Sequence, residues 1–334
     1  MRLSNFELLR IISMMGVLTS HSLMSMYDLH TTNFSVINEI RVFVMNASCL
    51  AVNCFVMISG WFQIRQSWKS FYGLFTPILF WSVVCCGTAL AFGECNLIDF
   101  GKHLIFPMTE TGLWFIKTYL ALFLIAPFLN SAINNMNDSQ LRWSSLMLLI
   151  VDVYIGYLHQ SHEITIDGYH LVHFITLYVL GSTLRKANWL QQNVCKLFII
   201  VVLLLLLMTG LHMCKMVFLP TAVIYSLRYN SPILMVTSIL TFLLFANLKI
   251  ESKIINWISE SVLAVYLISS LPFFGPRYYE ILKELSTKNT GILALVLIVG
   301  VMMSFYFICI VADKVRKLMV RSIDKKIKNF LPNN

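Results

Sequence analysis

Charged residues are scarce in this sequence, and that scarcity limits what the chain can be. Only 12% of the 334 residues are Asp, Glu, Lys or Arg, whereas 58% are hydrophobic. Soluble proteins have about 25% charged residues, which they need to cover their surface. The composition therefore excludes a soluble globular protein and predicts an all-α, polytopic integral membrane protein.

Several common site motifs are also missing. The chain has no Cys-x-x-Cys pair, no glycine-rich phosphate loop, no G-x-S-x-G and no H-E-x-x-H. We interpret its eight cysteines as small buried hydrophobic residues. The stretch 159–173 contains two His-x-x-His pairs, which could be a metal site, a polar loop surface or an acceptor groove. We expect no metal there.

Long apolar runs dominate what is present. A membrane-spanning helix needs about 20 largely apolar residues, and the sequence offers about ten candidates. The expected spans are 6–27, 40–62, 72–93, 113–133, 144–159, 170–184, 196–214, 231–248, 256–274 and 290–312. We expect a membrane domain over 1–312 and a basic cytoplasmic tail over 313–334.

The basic residues predict the orientation. With the N-terminus inside, about twice as many Lys and Arg lie on the cytoplasmic side as on the outer side. This predicts cytoplasmic termini and a multi-pass protein of the inner, cytoplasmic membrane. The net charge of +9 is then explained largely by a tail that attracts anionic lipid head groups, without nucleic acid as a partner.

Two ionisable residues lie within the first predicted span, "RIISMMGVLTSH". Arg10 and His21 are eleven positions apart, which places them about 20° apart around a helix and about 16 Å apart along it. Each has a plain alternative: Arg10 could extend to the head groups, and His21 could be a packing residue. Ionisable residues inside a membrane usually face a cavity. The shared face therefore indicates an anion anchor connected to a general base.

Several ordered stretches accompany this R-x10-H pattern, and together the chain resembles the membrane-bound acyltransferase-3 family, which contains bacterial polysaccharide O-acetyltransferases. The resemblance covers the whole sequence and matches the form without a C-terminal soluble domain. The stretches are VNCFVMISGWF (52–62), FTPILFWS (75–82), GLWFIKTYLALFLIAPFLN (112–130), TLYVLGSTLRK (176–186) and SESVLAVYLISS (259–270).

The resemblance implies an activity and roles for residues. Acyl-CoA, with acetyl as the expected group, would be the donor, and no cofactor would be bound. Arg10 would hold the phosphate or pantetheine end of CoA. His21 would activate a hydroxyl of a glycan or lipid-linked sugar, or relay the acyl group. Relatives often carry R-x-x-R at the start of the third helix. Here Lys69 and Tyr72 occupy those places, so either CoA binding would depend more on Arg65 or the donor site would differ.

A second departure lies in the ninth predicted span. Relatives often end this motif in Y-L-I-H, whereas this chain has Ser269 in place of the histidine. Three further residues are candidates for the acceptor site: Asn53, Glu110 and Trp114. Interhelical hydrogen bonding is the alternative for Asn53, and an interfacial aromatic belt is the alternative for Trp114.

Other functions remain open at this level. A polar stripe in a ten-span protein also suits an exporter or flippase of a lipid-linked glycan, although the sequence shows no internal repeat. A non-catalytic scaffold among polysaccharide-assembly partners is the third hypothesis. Donor dependence separates them, because an exporter should not consume acetyl-CoA.

Overall fold

The structure, a computed structural model, describes residues 3–27, 36–107, 113–159, 167–187, 192–218 and 228–330. Within those ranges it is helical and contains no strand, which confirms the all-α prediction. A π-helix, Asp152–Leu158, directly follows the α-helix that ends at Val151. The α-helices are α1 (Ser4–Met26), α2 (Val36–Phe62), α3 (Trp68–Ala91), α4 (Leu97–Ile105), α5 (Trp114–Asn135), α6 (Asp138–Val151), α7 (Leu171–Lys186), α8 (Val194–Phe218), α9 (Pro232–Ala246), α10 (Lys253–Ser259), α11 (Val262–Ser270), α12 (Phe274–Lys288) and α13 (Gly291–Phe330).

Each of the ten predicted spans overlaps described helices, although 256–274 extends over two of them, α10 and α11. Not every one of these helices is long enough to cross a membrane alone. Seven described helices are sufficiently long and apolar, and a bent pair, Lys253–Ser270 with Phe274–Lys288, would make eight. Helix α7 has 16 residues and α9 has 15, fewer than the roughly 20 that a span needs. The count of ten and the orientation therefore stay predictions.

The described chain forms two compact units. The first comprises Met1–Ile64 and Thr118–Asn256, and the second comprises Arg65–Lys117 and Trp257–Asn334. Helix α13 runs unbroken from Gly291 to Phe330, so its helical structure continues past the predicted boundary at 312. The division into a membrane domain and a tail stays a prediction.

In the first unit, α1 and α2 are antiparallel neighbours. At one end, the ring of Phe6 lies 5.3 Å from that of Trp61. Further along, a Cβ built on Gly16 would lie 3.3 Å from the carbonyl oxygen of Ser48. At the far end, the guanidinium of Arg41 stacks over the ring of Tyr27. This register places the first turns of α1 beside the last turns of α2.

Helices α2 and α7 approach each other more closely still, through two glycines. A Cβ on Gly60 would lie 2.0 Å from the carbonyl oxygen of Tyr178, and one on Gly181 would lie 2.2 Å from that of Met57. Small residues let helix backbones meet in this way, as in membrane helix pairs generally. The contact fixes the C-terminal half of α7 against the end of α2.

In the second unit, α3 packs against α4 and α11, and α11, α12 and α13 pack on one another. Ser67 caps α3 by accepting a hydrogen bond from the Ser70 N–H at 3.1 Å. The chain bends by 77° between the helices on either side of Phe273, whose φ is +76°. Short α4 and α12 were not predicted, because neither offers a long apolar run.

Candidate active site

Arg10 is held by a carboxylate one turn earlier on the same helix. Its Nη1 donates a hydrogen bond to Oε1 of Glu7 at 2.7 Å. The Glu7 side chain is only 7% exposed, whereas that of Arg10 is 33% exposed. The buried acid therefore fixes one edge of the guanidinium and leaves its other N–H donors for a ligand. Sequence reasoning missed Glu7, although its spacing of three residues is that of a helical ion pair.

A tyrosine and a serine from neighbouring helices complete this polar group. The hydroxyl of Tyr119, on α5, lies 3.2 Å from Oγ of Ser59, on α2. Tyr119 is also within electrostatic range of the Arg10 charge. Helices α2 and α5 thus contribute two hydrogen-bonded hydroxyls, of which Tyr119 experiences the charge of Arg10 on α1.

His21 lies on the same unbroken helix as Arg10, because α1 runs from Ser4 to Met26. The predicted common face therefore rests on continuous helical geometry. The His21 side chain is half-buried and makes no hydrogen bond with the part of the chain that the structure describes. The hydroxyl of the adjacent Ser20 donates to the carbonyl of Val17 within the helix. An imidazole in this setting can accept a proton from a ligand hydroxyl.

Asn53 belongs to a different, fully buried network. Its Oδ1 lies 3.1 Å from Nε2 of His173, and Nδ1 of that ring lies 2.6 Å from Oδ2 of Asp152. The Asn53 amide also donates to the carbonyl of Tyr229 at 3.0 Å and to Oγ of Ser238 at 3.2 Å. These bonds fit the interhelical alternative weighed above for Asn53, while the acceptor role stays a prediction.

The hydrogen bonds of this network fix where its protons lie. The Tyr229 carbonyl can only accept, so the nitrogen of the Asn53 amide faces it and Oδ1 faces His173. Nε2 of His173 must therefore carry a proton. A second proton lies between Nδ1 and Asp152.

The remaining predicted residues lie in the second unit or outside the described ranges. Arg65 is exposed just before α3, and Lys69 lies in the first turn of that helix. Tyr72 donates to Oδ1 of Asp324 at 2.7 Å. Trp114, the first residue of α5, is half-buried, with its ring 6.0 Å from that of Phe115. Glu110 lies outside the described residues.

One further position of the second unit concerns the family motif in the ninth predicted span. Ser269, which replaces the expected histidine, is buried, and its hydroxyl donates to the carbonyl of Tyr266 at 3.1 Å. The hydroxyl is therefore used within its own helix. In the described ranges, no three His, Cys, Asp or Glu side chains are grouped so as to hold a metal ion.

The comparison with protein families decides the classification. A family model described as an acyltransferase domain matches residues 3–314, nearly the whole chain. The chain belongs to the acyltransferase-3 family. This confirms the resemblance that the ordered motifs indicated. Searches of curated proteins and of solved structures gave no match.

The first unit of this membrane acyltransferase therefore contains two groups of polar residues, which differ in whether a ligand can reach them. The Arg10 side chain is partly exposed and His21 is half-buried, so both can meet a ligand. The Asp152–His173 pair has no exposed side-chain surface. It can hold helices together but cannot touch a substrate in this conformation. The chemistry of the acyltransferase is therefore best sought at α1.

Proposed function

We propose that this acyltransferase moves an acyl group, with acetyl as the expected one, from cytoplasmic acyl-CoA to a hydroxyl of a surface glycan or lipid-linked sugar. The observation that carries the proposal is the pairing of Arg10, held by buried Glu7, with His21 on one unbroken helix. Transfer from a thioester to an alcohol needs a site for the anionic donor and a base for the alcohol, and this helix offers one of each.

Arg10 is the donor anchor. A planar guanidinium can bind phosphate through two parallel hydrogen bonds. Glu7 occupies Nη1, so the fork that remains can contact a phosphate or the pantetheine amides of the donor. Arg65 and Lys69, in the second unit, are the further donor-binding residues of this proposal.

His21 is the general base. A ring nitrogen takes the proton of the acceptor hydroxyl, and the oxygen attacks the thioester carbonyl carbon. The new C–O bond forms, the C–S bond breaks, and the CoA thiolate leaves and takes up the proton from the imidazolium. Trp114 and Glu110 are the proposed acceptor-binding residues, and the protein would act in the inner membrane beside polysaccharide-assembly partners.

The proposal is tested by following acyl transfer in the purified protein. Radiolabelled acetyl-CoA is added with and without total glycan from the source cell, and both CoA release and labelled glycan are measured. His21→Ala should lower transfer at least about a hundredfold, which is the usual contribution of a general base. Ser20→Ala is the matched control, because its hydroxyl bonds within α1.

Each outcome decides between the hypotheses. Loss of transfer in His21→Ala with normal transfer in Ser20→Ala supports the proposed mechanism. Full activity of His21→Ala overturns it. Movement of glycan across the membrane without consumption of acetyl-CoA would instead support the exporter, and transfer with succinyl-CoA alone would correct the acyl group.

A further inference from the structure

A polar cavity lies in the first unit, at the ends of α2, α5 and α7. Its volume is about 300 Å3, and its lining is Trp61, Gln63, Asn134, Ser182, Arg185 and Lys186. Liquid water occupies about 30 Å3 per molecule, so the cavity has room for a phosphate group and several waters. Four of the lining residues lie in the family-like stretches 52–62 and 176–186, but the resemblance gives none of them a role, and the proposed mechanism does not use them.

Both cations of this cavity are fixed by the ends of helices. Nη1 of Arg185 donates to the carbonyl of Trp61 at 3.0 Å, in the last turn of α2. Nζ of Lys186 donates to the carbonyl of Ile133 at 2.7 Å, near the end of α5. Such contacts satisfy helix C-termini. They account for some of the donors of each side chain and leave other N–H groups of the guanidinium for a ligand.

The charge of the cavity is not neutralised by the described part of the chain. No Asp or Glu lines it, and neither Arg185 nor Lys186 forms an ion pair with a described residue. The other polar groups are already oriented: Nε2 of Gln63 donates to Oδ1 of Asn134 at 3.0 Å, and the Ser182 hydroxyl donates to the carbonyl of Gly60 at 2.7 Å. The cavity is therefore cationic, rich in donors and fixed in shape.

The cavity lies at the same end of the first unit as Arg10, Ser59 and Tyr119. Trp61, which lines the cavity, packs its ring against Phe6, and Arg10 lies about one turn further along the same helix. Ser59, the partner of Tyr119, precedes Trp61 by two residues on α2. Both features lie toward the end of the first unit that carries the start of α1, which the orientation rule predicts to be cytoplasmic.

We infer that the Arg185–Lys186 cavity is a phosphate-binding subsite, which holds a phosphate monoester or diester at the cytoplasmic end of the first unit. It rests on the proposed function in one respect, since the expected source of that phosphate is the nucleotide half of acyl-CoA. A phospholipid head group presents the same chemistry, and the experiment below separates the two sources.

Asn134→Asp is the most direct test of this subsite. It places a carboxylate in the cavity yet keeps the oxygen that accepts from Gln63. Asn135→Asp is the matched control, because it adds the same charge one residue later, outside the lining. The probe is adenosine 3′,5′-bisphosphate, and its Kd is measured for the purified full-length protein in nanodiscs of phosphatidylcholine. Asn134→Asp should raise the Kd at least about tenfold, and Asn135→Asp should leave it within about twofold.

A second variant provides the same test if the first variant is misfolded. If Asn134→Asp does not fold, Gln63→Glu places its charge in the lining of the same cavity, beside Asn134, and carries the same expectation. The lipid arm repeats the binding with added anionic phospholipid and measures the lipid that each variant retains. Competition by the lipid, with less retained by Asn134→Asp, would assign the cavity to a head group and support the phosphate chemistry.

The result that overturns the inference is equal binding of both probes by the native chain, Asn134→Asp and Asn135→Asp. This failure is distinguishable from failure of the proposed function. A native chain that transfers acetyl from acetyl-CoA, with equal binding of both probes by Asn134→Asp and the native chain, would retain the function and lose the subsite. A native chain without transfer would lose the function, while binding of the bisphosphate would still report on the cavity.

Discussion

Asp152 and His173 lie 2.6 Å apart, from Oδ2 to Nδ1, and neither side chain has any exposed surface. Asn53, on α2, contacts the other ring nitrogen of His173, Nε2, through its Oδ1. A buried pair of this kind resembles a catalytic relay in its contacts. Its complete burial and its hydrogen bonds instead indicate that it holds α2, α7 and the π-helix together.

The first prediction concerns the stability that this pair provides. His173→Ala should lower the free energy of unfolding by about 3–5 kcal/mol, because it leaves the Asp152 carboxylate buried without its ring partner. The exposed His159→Ala is the control and should change it by less than about 0.5 kcal/mol. Denaturant unfolding of the detergent-solubilised protein measures both. Equal stability of the two variants would contradict the structural role.

The second prediction concerns the close approach of α2 and α7. Gly60→Ala should cost about 1–3 kcal/mol or more, because the added methyl would collide with the Tyr178 carbonyl, and backbone cannot move aside cheaply. Gly210→Ala, on α8, meets no described atom within 4 Å and should stabilise by about 0.5–1 kcal/mol. The difference in thermal unfolding midpoint between the two variants is the measurement. Similar midpoints would argue against the contact.

Composition predicted the fold class, and the apolar runs located most of the long helices, because a helix that crosses a lipid bilayer needs a long apolar sequence. The R-x10-H spacing also placed Arg10 and His21 correctly on one helix, since α1 is unbroken. The number of membrane-spanning helices was harder to predict. Helices α7 and α9 are shorter than a full span, and run length alone does not reveal how such helices are accommodated.

The tertiary contacts were harder to predict. His173 and Asn53 are 120 residues apart in sequence, and no local spacing signals that they meet. Asp152 lies in a π-helix, a rare form that an apolar pattern does not indicate. Glu7 could have been found from its helical spacing to Arg10, but an acid in the first turn of a helix also has an ordinary explanation in the helix dipole.

The third prediction concerns Tyr119. Tyr119→Phe removes the hydroxyl that contacts Ser59 near the Arg10 charge. We expect kcat/KM for acyl-CoA to fall by about three- to tenfold, which is the usual effect of losing one hydrogen bond. Ser59→Ala tests the same contact from its other side and should give a similar decrease. Unchanged kcat/KM in both variants would exclude this hydroxyl pair from the site.

The last prediction separates the two tasks of Arg10. Arg10→Ala leaves the nearly buried Glu7 carboxylate without its cation, so it should lower both stability, by about 1–3 kcal/mol, and acyl transfer. Glu7→Gln should keep transfer and raise the KM for acyl-CoA, because the guanidinium loses its fixed orientation. In Arg10→Ala/Glu7→Gln the buried charge is gone, so stability should return while transfer stays lost.

This double-mutant cycle is measured by unfolding and by initial transfer rates on the same preparations. Neutralising Glu7 removes the penalty of an unpaired buried carboxylate, but it cannot supply a group that binds the anionic donor. Recovery of transfer together with stability in the double variant would show that Arg10 serves only to neutralise Glu7. Recovery of stability alone would assign Arg10 to the donor, because a merely structural cation becomes dispensable once its acid is removed.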